Sequence, residues 1–241
     1  MSLKIAHRGA SGYEPENTIR AFEKAIELGA DMVELDVFTS LTDAKGLRHL
    51  SRDGHLIVMH DASVDKTTNG SGYIKDLTLQ ELKMLDAGKG EQIPTPQEVI
   101  DSVKGRCGLY IELKGEDTEQ PMVELIRENT LQDSVIIASF DLNKVRKVKE
   151  LASELETSVL VSDKDADWAA IAKEAKADCI HFCWERYPSP HTLLTAEVMN
   201  KASANGLKVI IWHEERPEEI REIIKQDIYG ICSNLPDLLI P

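Results

Sequence analysis

The chain has 241 residues, and its 28 Lys and Arg against 42 Asp and Glu give a formal net charge of -14 at pH 7. This charge repels nucleic-acid backbones and anionic lipid surfaces, so we expect neither a nucleic acid nor a membrane as a partner. The length is ample for a core, and we predict a single domain over residues 1–241.

The cysteines and the apolar segments indicate a reducing compartment. Cys107, Cys179, Cys183 and Cys232 lie within or beside apolar runs and lack the spacing of a metal site, so we expect reduced thiols in the core. No apolar run approaches about 18 residues, and few residues precede the first strand-like segment. We therefore expect no transmembrane helix, no secretory signal and a cytoplasmic location.

A short strand-like segment opens the chain and ends at His7. It passes directly into a turn-rich loop that begins at Arg8, so this histidine and this arginine are expected at a strand end. A helix with apolar residues at helical spacing follows over positions 19–28. For Glu16 and Asn17, just before that helix, a role in helix initiation and capping is favoured over a functional one.

Two acids share one face of the second predicted strand. Residues 31–38 form a largely apolar run in which Glu34 and Asp36 are two positions apart. Because strand side chains alternate, both carboxylates project from the same face. Two buried carboxylates repel each other unless a cation lies between them or a proton is shared, so a hard divalent metal ion is their natural partner. The alternative is an exposed strand face with two solvated acids.

An insertion over about residues 38–95 follows this strand. Within it, Asp53-Gly54 precedes the apolar run Leu56–Met59, which predicts a hairpin that turns back toward the second strand. This return would place His60 beside the carboxylates. The rest of the insertion is rich in turn residues, with one short helix near positions 78–85, and we expect it to form part of a pocket wall.

From residue 94 onward, predicted strands and helices alternate. Further strands are predicted at 109–114, 135–140, 158–161, 179–183, 208–212 and 229–232. Further helices are predicted at 96–103, 120–129, 141–155, 166–175, 192–204, 217–225 and 236–239. With the return arm set aside, eight strands each precede a helix, which predicts an α/β fold, a parallel (β/α)8 TIM barrel. An open doubly wound sheet is the alternative, but no glycine-rich nucleotide-binding motif follows any strand.

Barrel enzymes carry their chemistry at the C-terminal ends of the strands, and reactive side chains recur there in this sequence. The residues expected at this rim are His7, Arg8, Glu34, Asp36, Glu112, Lys114, Phe140 and Trp212. Singly, each has a structural explanation, such as a hydrogen-bonded core histidine or a solvated strand end. The convergence of independent segments on one rim favours a functional site.

The residue types at this rim indicate phosphodiester cleavage. Three carboxylates suit Mg²⁺ or Ca²⁺, since zinc would recruit His or Cys ligands. Arg8 and Lys114 can neutralise phosphate oxygens. His7 and His60 supply two groups that titrate near neutrality, as a general acid and a general base require.

The sequence resembles the glycerophosphodiester phosphodiesterase family across its first 140 residues. The shared motifs are His7-Arg8-Gly9, Pro15-Glu16-Asn17-Thr18, Ala21-Phe22, Gly29-Ala30-Asp31, Glu34-Leu35-Asp36-Val37, Asp53-Gly54, His60-Asp61, Thr67-Thr68-Asn69-Gly70-Ser71-Gly72, Ile93-Pro94-Thr95, Glu112-Leu113-Lys114 and Ser139-Phe140. Weaker similarity continues at Trp212 and Ser233-Asn234-Leu235-Pro236.

The resemblance implies a barrel enzyme that hydrolyses small-molecule glycerophosphodiesters to sn-glycerol 3-phosphate and an alcohol. Carried over to this chain, the resemblance implies acid and base catalysis by His7 and His60 and metal binding by Glu34, Asp36 and Glu112. It also implies phosphate contacts by Arg8 and Lys114 and a glycerol pocket lined by Phe140 and Trp212. It leaves open whether the nucleophile is water or the substrate's own glycerol hydroxyl.

Two departures from the family's pattern concern the substrate. The family usually passes from the Glu-x-Asp strand to the Asp-Gly turn within a few residues, whereas here a longer segment containing Asp43, Lys45 and His49 intervenes. After Trp212 the family commonly has a Thr-Val-Asn run, but this chain has His213-Glu214-Glu215. We expect the extra acids to disfavour a negatively charged alcohol moiety.

Two other functions are compatible with these residues. One is a lysophospholipase D or phosphoinositide-type phosphodiesterase on the same barrel, against which the lack of an apolar membrane-docking stretch argues. The other is a non-catalytic binder of phosphorylated metabolites, against which the presence of both histidines and all three acids argues. No oligomeric state is predicted.

Overall fold

The computed structural model of the protein describes residues 2–38, 40–41, 48–49, 55–115 and 117–239. The strands, in chain order, are β1 (Leu3–Ala6), β2 (Met32–Phe38), β3 (Ser40–Leu41), β4 (Arg48–His49), β5 (Ile57–Val58), β6 (Gly108–Leu113), β7 (Val135–Ser139), β8 (Glu156–Val161), β9 (Cys179–Cys183), β10 (Lys208–Trp212) and β11 (Gly230–Ser233). The helices are α1 (Ile19–Glu27), α2 (Leu79–Lys83), α3 (Pro96–Val103), α4 (Glu119–Glu128), α5 (Leu142–Leu151), α6 (Trp168–Ala175), α7 (Ala196–Ala204) and α8 (Pro217–Ile223).

Eight parallel strands close into a barrel. Their order is β1-β11-β10-β9-β8-β7-β6-β2, and β1 pairs with β2 as well as with β11, which completes the ring. A helix follows each of β1, β6, β7, β8, β9 and β10, and α3 connects the excursion after β2 back to β6. The predicted TIM barrel is confirmed, and the closure of the ring excludes the open doubly wound sheet.

Local sequence sets the helix starts. Thr95 caps α3 by accepting a hydrogen bond from the Glu98 N–H, while Glu98 reaches back to Thr95, which forms a capping box. Thr195 caps α7 by accepting from the N–H of Val198. The predicted helix at 192–204 is therefore divided: a 3-10 turn covers Pro190–Leu193, and the α-helix starts after the Thr195 cap.

Two other helix predictions differ from the structure, one in length and one in the type of helix. The helix predicted at 141–155 ends at Leu151, because Ala152 leaves helical geometry with φ -152° and the chain then turns to enter β8. The closing segment Pro236–Leu239 is a 3-10 helix.

The apolar residues pack on both sides of the barrel strands, which explains why these strands are nearly continuous apolar runs in the sequence. The barrel strands are buried on both faces, because one face packs against the surrounding helices and the other fills the interior. The interior cluster includes Ile5, Tyr110, Ile136, Ile210 and Trp212. The cysteines are free thiols; Cys179, Cys183 and Cys232 are buried, as expected for core residues, and Cys107 is partly buried.

The excursion between β2 and α3 confirms the predicted return. Strand β5 pairs antiparallel with the end of β2, with Val58 opposite Val37, and it lies outside the barrel ring. Strands β3 and β4 pair antiparallel with each other. The expected Asp53-Gly54 turn and the residues Asp43 and Lys45 lie outside the described residues.

The excursion also has its own apolar cluster. Its buried members are Ile57, Met59, Val64, Ile74, Leu82, Ala87 and Ile93. These residues follow one another between β5 and α3, so the segment packs largely on itself beside the barrel. In the part of the chain that the structure describes, no helix has the length and apolar character needed to cross a membrane.

Candidate active site

Three carboxylates meet at the C-terminal end of the barrel. Glu34 and Asp36 lie on β2, and Glu112 lies on β6 directly beside Asp36 in the parallel register. Each is at most 3 % exposed, which excludes the alternative of solvated acids. One oxygen from each residue lies within 4.8 Å of the others. The alternation of strand side chains thus places three acids around one point.

Burial and mutual repulsion disfavour negative charge in this cluster. The pKa of Glu34 is raised well above its ordinary value by burial, and then by the charges of Asp36 and Glu112. The pKa of Glu112 is raised to about 7 by burial and by Asp36. Among the described residues, Glu34 Oε1 and Glu112 Oε2 are buried and have no hydrogen-bond partner. Oxygen ligands of this kind fit a hard divalent ion.

Two cations border the acids. Lys114 Nζ lies 3.2 Å from both Asp36 Oδ1 and Glu112 Oε1, and Arg8 Nε lies 3.2 Å from Asp36 Oδ2. Burial opposes the charge on both cations, but the surrounding carboxylates together more than offset it, so both pKa values are raised: Asp36, Glu16 and Glu34 raise the pKa of Arg8, and Asp36 and Glu112 raise the pKa of Lys114. Both side chains carry a positive charge where the sequence places phosphate contacts.

The loop after β1 turns sharply to aim Arg8 at the acids. Arg8 has φ +54° and Gly9 has φ +79°, in the left-handed region. A Cβ at Gly9 would lie 2.6 Å from the backbone of Ala21, so only glycine fits this approach to α1. The Arg8 N–H donates to Glu34 Oε2 at 2.7 Å, which ties the loop to the cluster.

The capping role favoured for Glu16 and Asn17 is wrong. Thr18 is the N-cap of α1, with its hydroxyl accepting from the Ala21 N–H. Asn17 has φ +57° and turns inward, where its Nδ2 donates to Asp36 Oδ2 at 2.9 Å. Glu16 Oε1 accepts a hydrogen bond from Arg8 Nη1 at 3.0 Å. Both residues therefore hold the charged groups of the site.

His7 stands at the end of β1, buried beside the acids. Its Nε2 lies 4.0 Å from Glu34 Oε2, and its Nδ1 is 2.6 Å from Asn234 Oδ1. The pKa of His7 is lowered well below its ordinary value by burial, and then by the charges of Arg8 and His213. Burial and the neighbouring positive charge therefore favour the neutral ring.

His60 approaches the acids from the excursion. The N–H of Met59 donates to the carbonyl of Asp36 at 3.0 Å, which brings the next residue to the rim as predicted. His60 Nδ1 lies 2.6 Å from Asp61 Oδ1. The pKa of His60 is lowered by burial, although Asp36 and Asp61 oppose that shift. Two imidazoles on separate elements thus flank the charged cluster.

A cavity of about 300 Å³ opens beside His7 and Arg8. Phe140 and Trp212 line it, with ring centres 5.6 Å apart, and Phe140 is 47 % exposed. His213 also lines this cavity. A larger groove of about 840 Å³ borders the segment from Gly206 to Val209, but none of these residues lines it, so the smaller cavity is the candidate substrate site.

The sequence reasoning did not identify the contacts made by the last two barrel loops. Asn234, which follows β11, contacts His7, and His213, which follows β10, stacks on His7 with ring centres 4.8 Å apart and an interplanar angle of 18°. Glu214, expected to add negative charge at the rim, is buried and accepts from Arg216 through both carboxylate oxygens. Arg216 thus compensates the charge of Glu214, and the preference against an anionic alcohol stays a prediction.

A parallel barrel that gathers three carboxylates, two cations and two imidazoles at the C-terminal end of its strands defines the class of phosphoric diester hydrolases. Comparison with known proteins narrows this class. A sequence model of the glycerophosphoryl diester phosphodiesterase family matches residues 7–238. The chain belongs to this family.

Individual relatives match along nearly the whole chain. A glycerophosphodiester phosphodiesterase of Caldanaerobacter subterraneus subsp. tengcongensis is 37 % identical, with 99 % of this chain and 96 % of the relative covered. A crystal structure of a glycerophosphodiester phosphodiesterase from Agrobacterium tumefaciens superposes with a TM-score of 0.84 at 27 % identity, covering 99 % of each chain. An Oleispira antarctica phosphodiesterase in complex with the product sn-glycerol-3-phosphate also gives a TM-score of 0.84 at 27 % identity, covering 99 % of this chain and 95 % of that one.

Proposed function

We propose that the protein hydrolyses small-molecule glycerophosphodiesters to sn-glycerol 3-phosphate and an alcohol. The observation that carries this proposal is the cluster of Glu34, Asp36 and Glu112, whose oxygens lie within 4.8 Å of one another beside Arg8 and Lys114. The bound sn-glycerol-3-phosphate of the Oleispira antarctica relative supports the same product. We also infer that residues 1–241 form one barrel domain, since β5 joins the excursion to β2.

The acid cluster fits a divalent ion, Mg²⁺ or Ca²⁺, held by Glu34, Asp36 and Glu112. The buried oxygens Glu34 Oε1 and Glu112 Oε2 have no hydrogen-bond partner among the described residues, and all three ligands are carboxylates. When bound, such an ion supplies positive charge that polarises a phosphoryl oxygen and offsets the repulsion between the acids. The chain's own side chains supply the remaining functions.

Arg8 and Lys114 bind and orient the phosphate. Arg8 is fixed from two sides, because its Nη1 donates to Glu16 while its Nε faces Asp36. Lys114 is fixed between Asp36 and Glu112. Cations held in this way need no rearrangement when negative charge develops on the phosphoryl oxygens, so they stabilise the transition state more than mobile surface cations do.

His7 and His60 transfer protons. One imidazole accepts the proton of the attacking hydroxyl as its oxygen forms a new P–O bond, and the other protonates the departing oxygen as the P–O bond to the alcohol breaks. The attacking oxygen belongs either to water or to the glycerol hydroxyl next to the phosphoester. In the second route a cyclic phosphate forms first, and water then opens it to glycerol phosphate.

Phe140 and Trp212 bind the glycerol moiety in the cavity beside His7. Their rings offer apolar surface to the carbon chain of the glycerol, and the 47 % exposure of Phe140 leaves one side of the cavity open to solvent. The alcohol moiety is directed to that open side. An open exit of this kind suits several different alcohols.

The test is the release of glycerol 3-phosphate from glycerophosphocholine and glycerophosphoethanolamine, with and without EDTA. His7→Ala and His60→Ala are each expected to lower kcat by about 100-fold or more, whereas His55→Ala, which changes an exposed histidine, leaves kcat unaltered. Full activity in both site variants would refute the acid and base roles, and activity after thorough chelation would refute the ion. Hydrolysis of lysophosphatidylcholine alone would favour the lysophospholipase D alternative.

A further inference from the structure

We propose that Glu215 is a positioning residue that determines, through Asn234, which ring nitrogen of His7 carries the proton. The proposal rests on the role of His7 in the proposed function. It gives a purpose to the His213-Glu214-Glu215 segment, which departs from the family's usual run after Trp212.

The first step is the contact between His7 and Asn234. His7 Nδ1 lies 2.6 Å from Asn234 Oδ1, at hydrogen-bond distance. A neutral imidazole has one nitrogen that donates and one that accepts, and a side-chain amide can present either its oxygen or its NH₂ group. The orientation of the Asn234 amide therefore decides which tautomer of His7 is stable.

The second step is the contact between Asn234 and Glu215. Asn234 Nδ2 donates to Glu215 Oε1. An ionised carboxylate only accepts hydrogen bonds, so the flipped amide would place its oxygen against the carboxylate and repel it. The acid thus holds Asn234 with its oxygen toward His7. Ser11 Oγ lies 2.9 Å from that oxygen and 2.7 Å from the His7 carbonyl, and its single O–H donates to one of the two at a time.

The consequence is a neutral His7 with a proton on Nδ1 and a bare Nε2. Among the described residues, Nε2 is buried without a hydrogen-bond partner, and it lies 4.0 Å from Glu34 Oε2 at the acid cluster. The nitrogen that can accept a proton therefore faces the position where the phosphodiester would react. With the other tautomer, an N–H would face that position and could not accept a proton.

Glu215 also steadies the second ring beside His7. Its Oε1 lies 3.6 Å from His213 Nε2, and the His213 ring stacks on His7. One carboxylate thus links the hydrogen-bond partner of His7 and its stacking partner. The Glu215 side chain is 42 % exposed, so its replacement is not expected to prevent folding.

The test is the tautomer of His7, read from long-range ¹H–¹⁵N correlations of the imidazole in the ¹⁵N-labelled full chain without added metal. In the wild type we expect the Nδ1–H form alone. In Glu215→Gln the introduced amide can present its oxygen or its NH₂ group, so Asn234 can adopt both orientations and the Nε2–H form is expected to appear. Glu218→Gln removes one exposed acid from α8 as a matched control and leaves the spectrum unchanged.

A second substitution supplies the rescue. In the double variant Glu215→Gln with Asn234→Asp, the carboxylate introduced at position 234 only accepts, and the amide introduced at 215 donates to it. The Nδ1–H form is then expected to return. In kinetic assays, Glu215→Gln is expected to lower kcat about fivefold with little change in KM, as the loss of one hydrogen bond predicts, and the double variant recovers most of that loss.

The proposal is wrong if wild-type His7 carries its proton on Nε2, or if Glu215→Gln leaves the tautomer unchanged. The wild-type spectrum alone can refute it, so the outcome does not depend on the folding of a variant. The spectrum also reports the tautomer whether or not the protein hydrolyses a glycerophosphodiester. Failure of the proposed function and failure of this inference are therefore separate results.

Discussion

Asn17 and Asp36 hold each other through two hydrogen bonds: Asn17 Nδ2 donates to Asp36 Oδ2 at 2.9 Å, and the Asp36 N–H donates to Asn17 Oδ1 at 3.3 Å. Both residues are buried, and Asp36 is also the acid that faces Arg8 and Lys114. The amide therefore orients the central carboxylate of the site.

This contact predicts that Asn17→Gly and Asn17→Ala each lower kcat/KM at least about tenfold, because Asp36 loses its charge-assisted hydrogen bond. The two variants separate the side chain from the backbone. Since φ is +57° at this position, we expect alanine to destabilise the fold by about 1 kcal/mol more than glycine. Steady-state kinetics and urea unfolding measure the two effects, and wild-type kcat/KM in both variants would contradict the role of Asn17.

The repulsion within the acid cluster predicts that Glu34→Gln stabilises the protein in a chelator. Folding raises the pKa of Glu34, so the folded state prefers the protonated acid, and stability falls as pH rises above the ordinary value of 4.5. At pH 8 in the presence of chelator, we expect the free energy of unfolding of the variant to exceed that of the wild type by about 1–2 kcal/mol. Added Mg²⁺ or Ca²⁺ is expected to stabilise the wild type more than the variant.

Glu119→Gln is the matched control for that prediction. Glu119 is a buried acid outside the site, and its Oε1 lies 3.8 Å from Lys144 Nζ. Removing one partner of a buried pair leaves the other charge uncompensated, so this variant is expected to lose stability with and without the ion. Thermal unfolding under both conditions distinguishes the two acids. If Glu34→Gln in chelator is less stable than the wild type, the predicted repulsion between the acids is contradicted.

The fixed geometry of Arg8 predicts that lysine cannot replace it. Arg8 contacts Glu16 and Asp36 with different nitrogens of one planar group, which a single ammonium cannot reproduce. We expect Arg8→Lys to raise KM about tenfold or more, and Glu16→Gln to raise it less, by a factor of about 2–5. Arg106→Lys, an exposed arginine paired with Glu23, serves as control. An unchanged KM in Arg8→Lys would exclude Arg8 from substrate binding.

His181 predicts a loss of stability on acidification that is independent of the active-site acids. Its Nδ1 lies 2.6 Å from the Tyr110 hydroxyl inside the barrel, and burial lowers the pKa of His181 to about 3. The unfolded state binds a proton below the ordinary value of 6.5 while the folded state does not, so stability decreases as pH falls from there toward 3.

Between pH 7 and pH 5 this single group is expected to cost about 2 kcal/mol. Urea unfolding at the two pH values measures the effect, and His181→Phe is expected to show a correspondingly weaker pH dependence, whatever its stability at pH 7. Equal pH dependence in the variant and the wild type would show that folding does not lower the pKa of His181.

The barrel and its rim acids were predictable because their patterns are local. Each strand is a continuous apolar run, and the spacing of Glu34 and Asp36 places them on one face wherever the strand lies. His60 was predictable from the apolar return arm, since an antiparallel partner of β2 must end near the acids.

Asn17 and Asn234 were not predictable in the same way. The contact of Asn17 depends on a left-handed backbone before α1, and local preference favours asparagine at helix starts, where Thr18 serves as the cap instead. Asn234 meets His7 across 227 positions of sequence, and only the closure of β1 against β11 brings them together. Contacts that depend on ring closure leave no periodic pattern in the sequence.

Because the excursion has an apolar cluster of its own, we expect it to unfold separately from the barrel, and each part carries one of the two proposed catalytic histidines. His7 lies at the end of a barrel strand, whereas His60 lies in the excursion, whose buried apolar residues pack mainly on one another. Mild denaturant can therefore unfold the excursion before the barrel unfolds. Activity would then be lost while the barrel is still folded, so inactivation would result from local unfolding and would precede global unfolding.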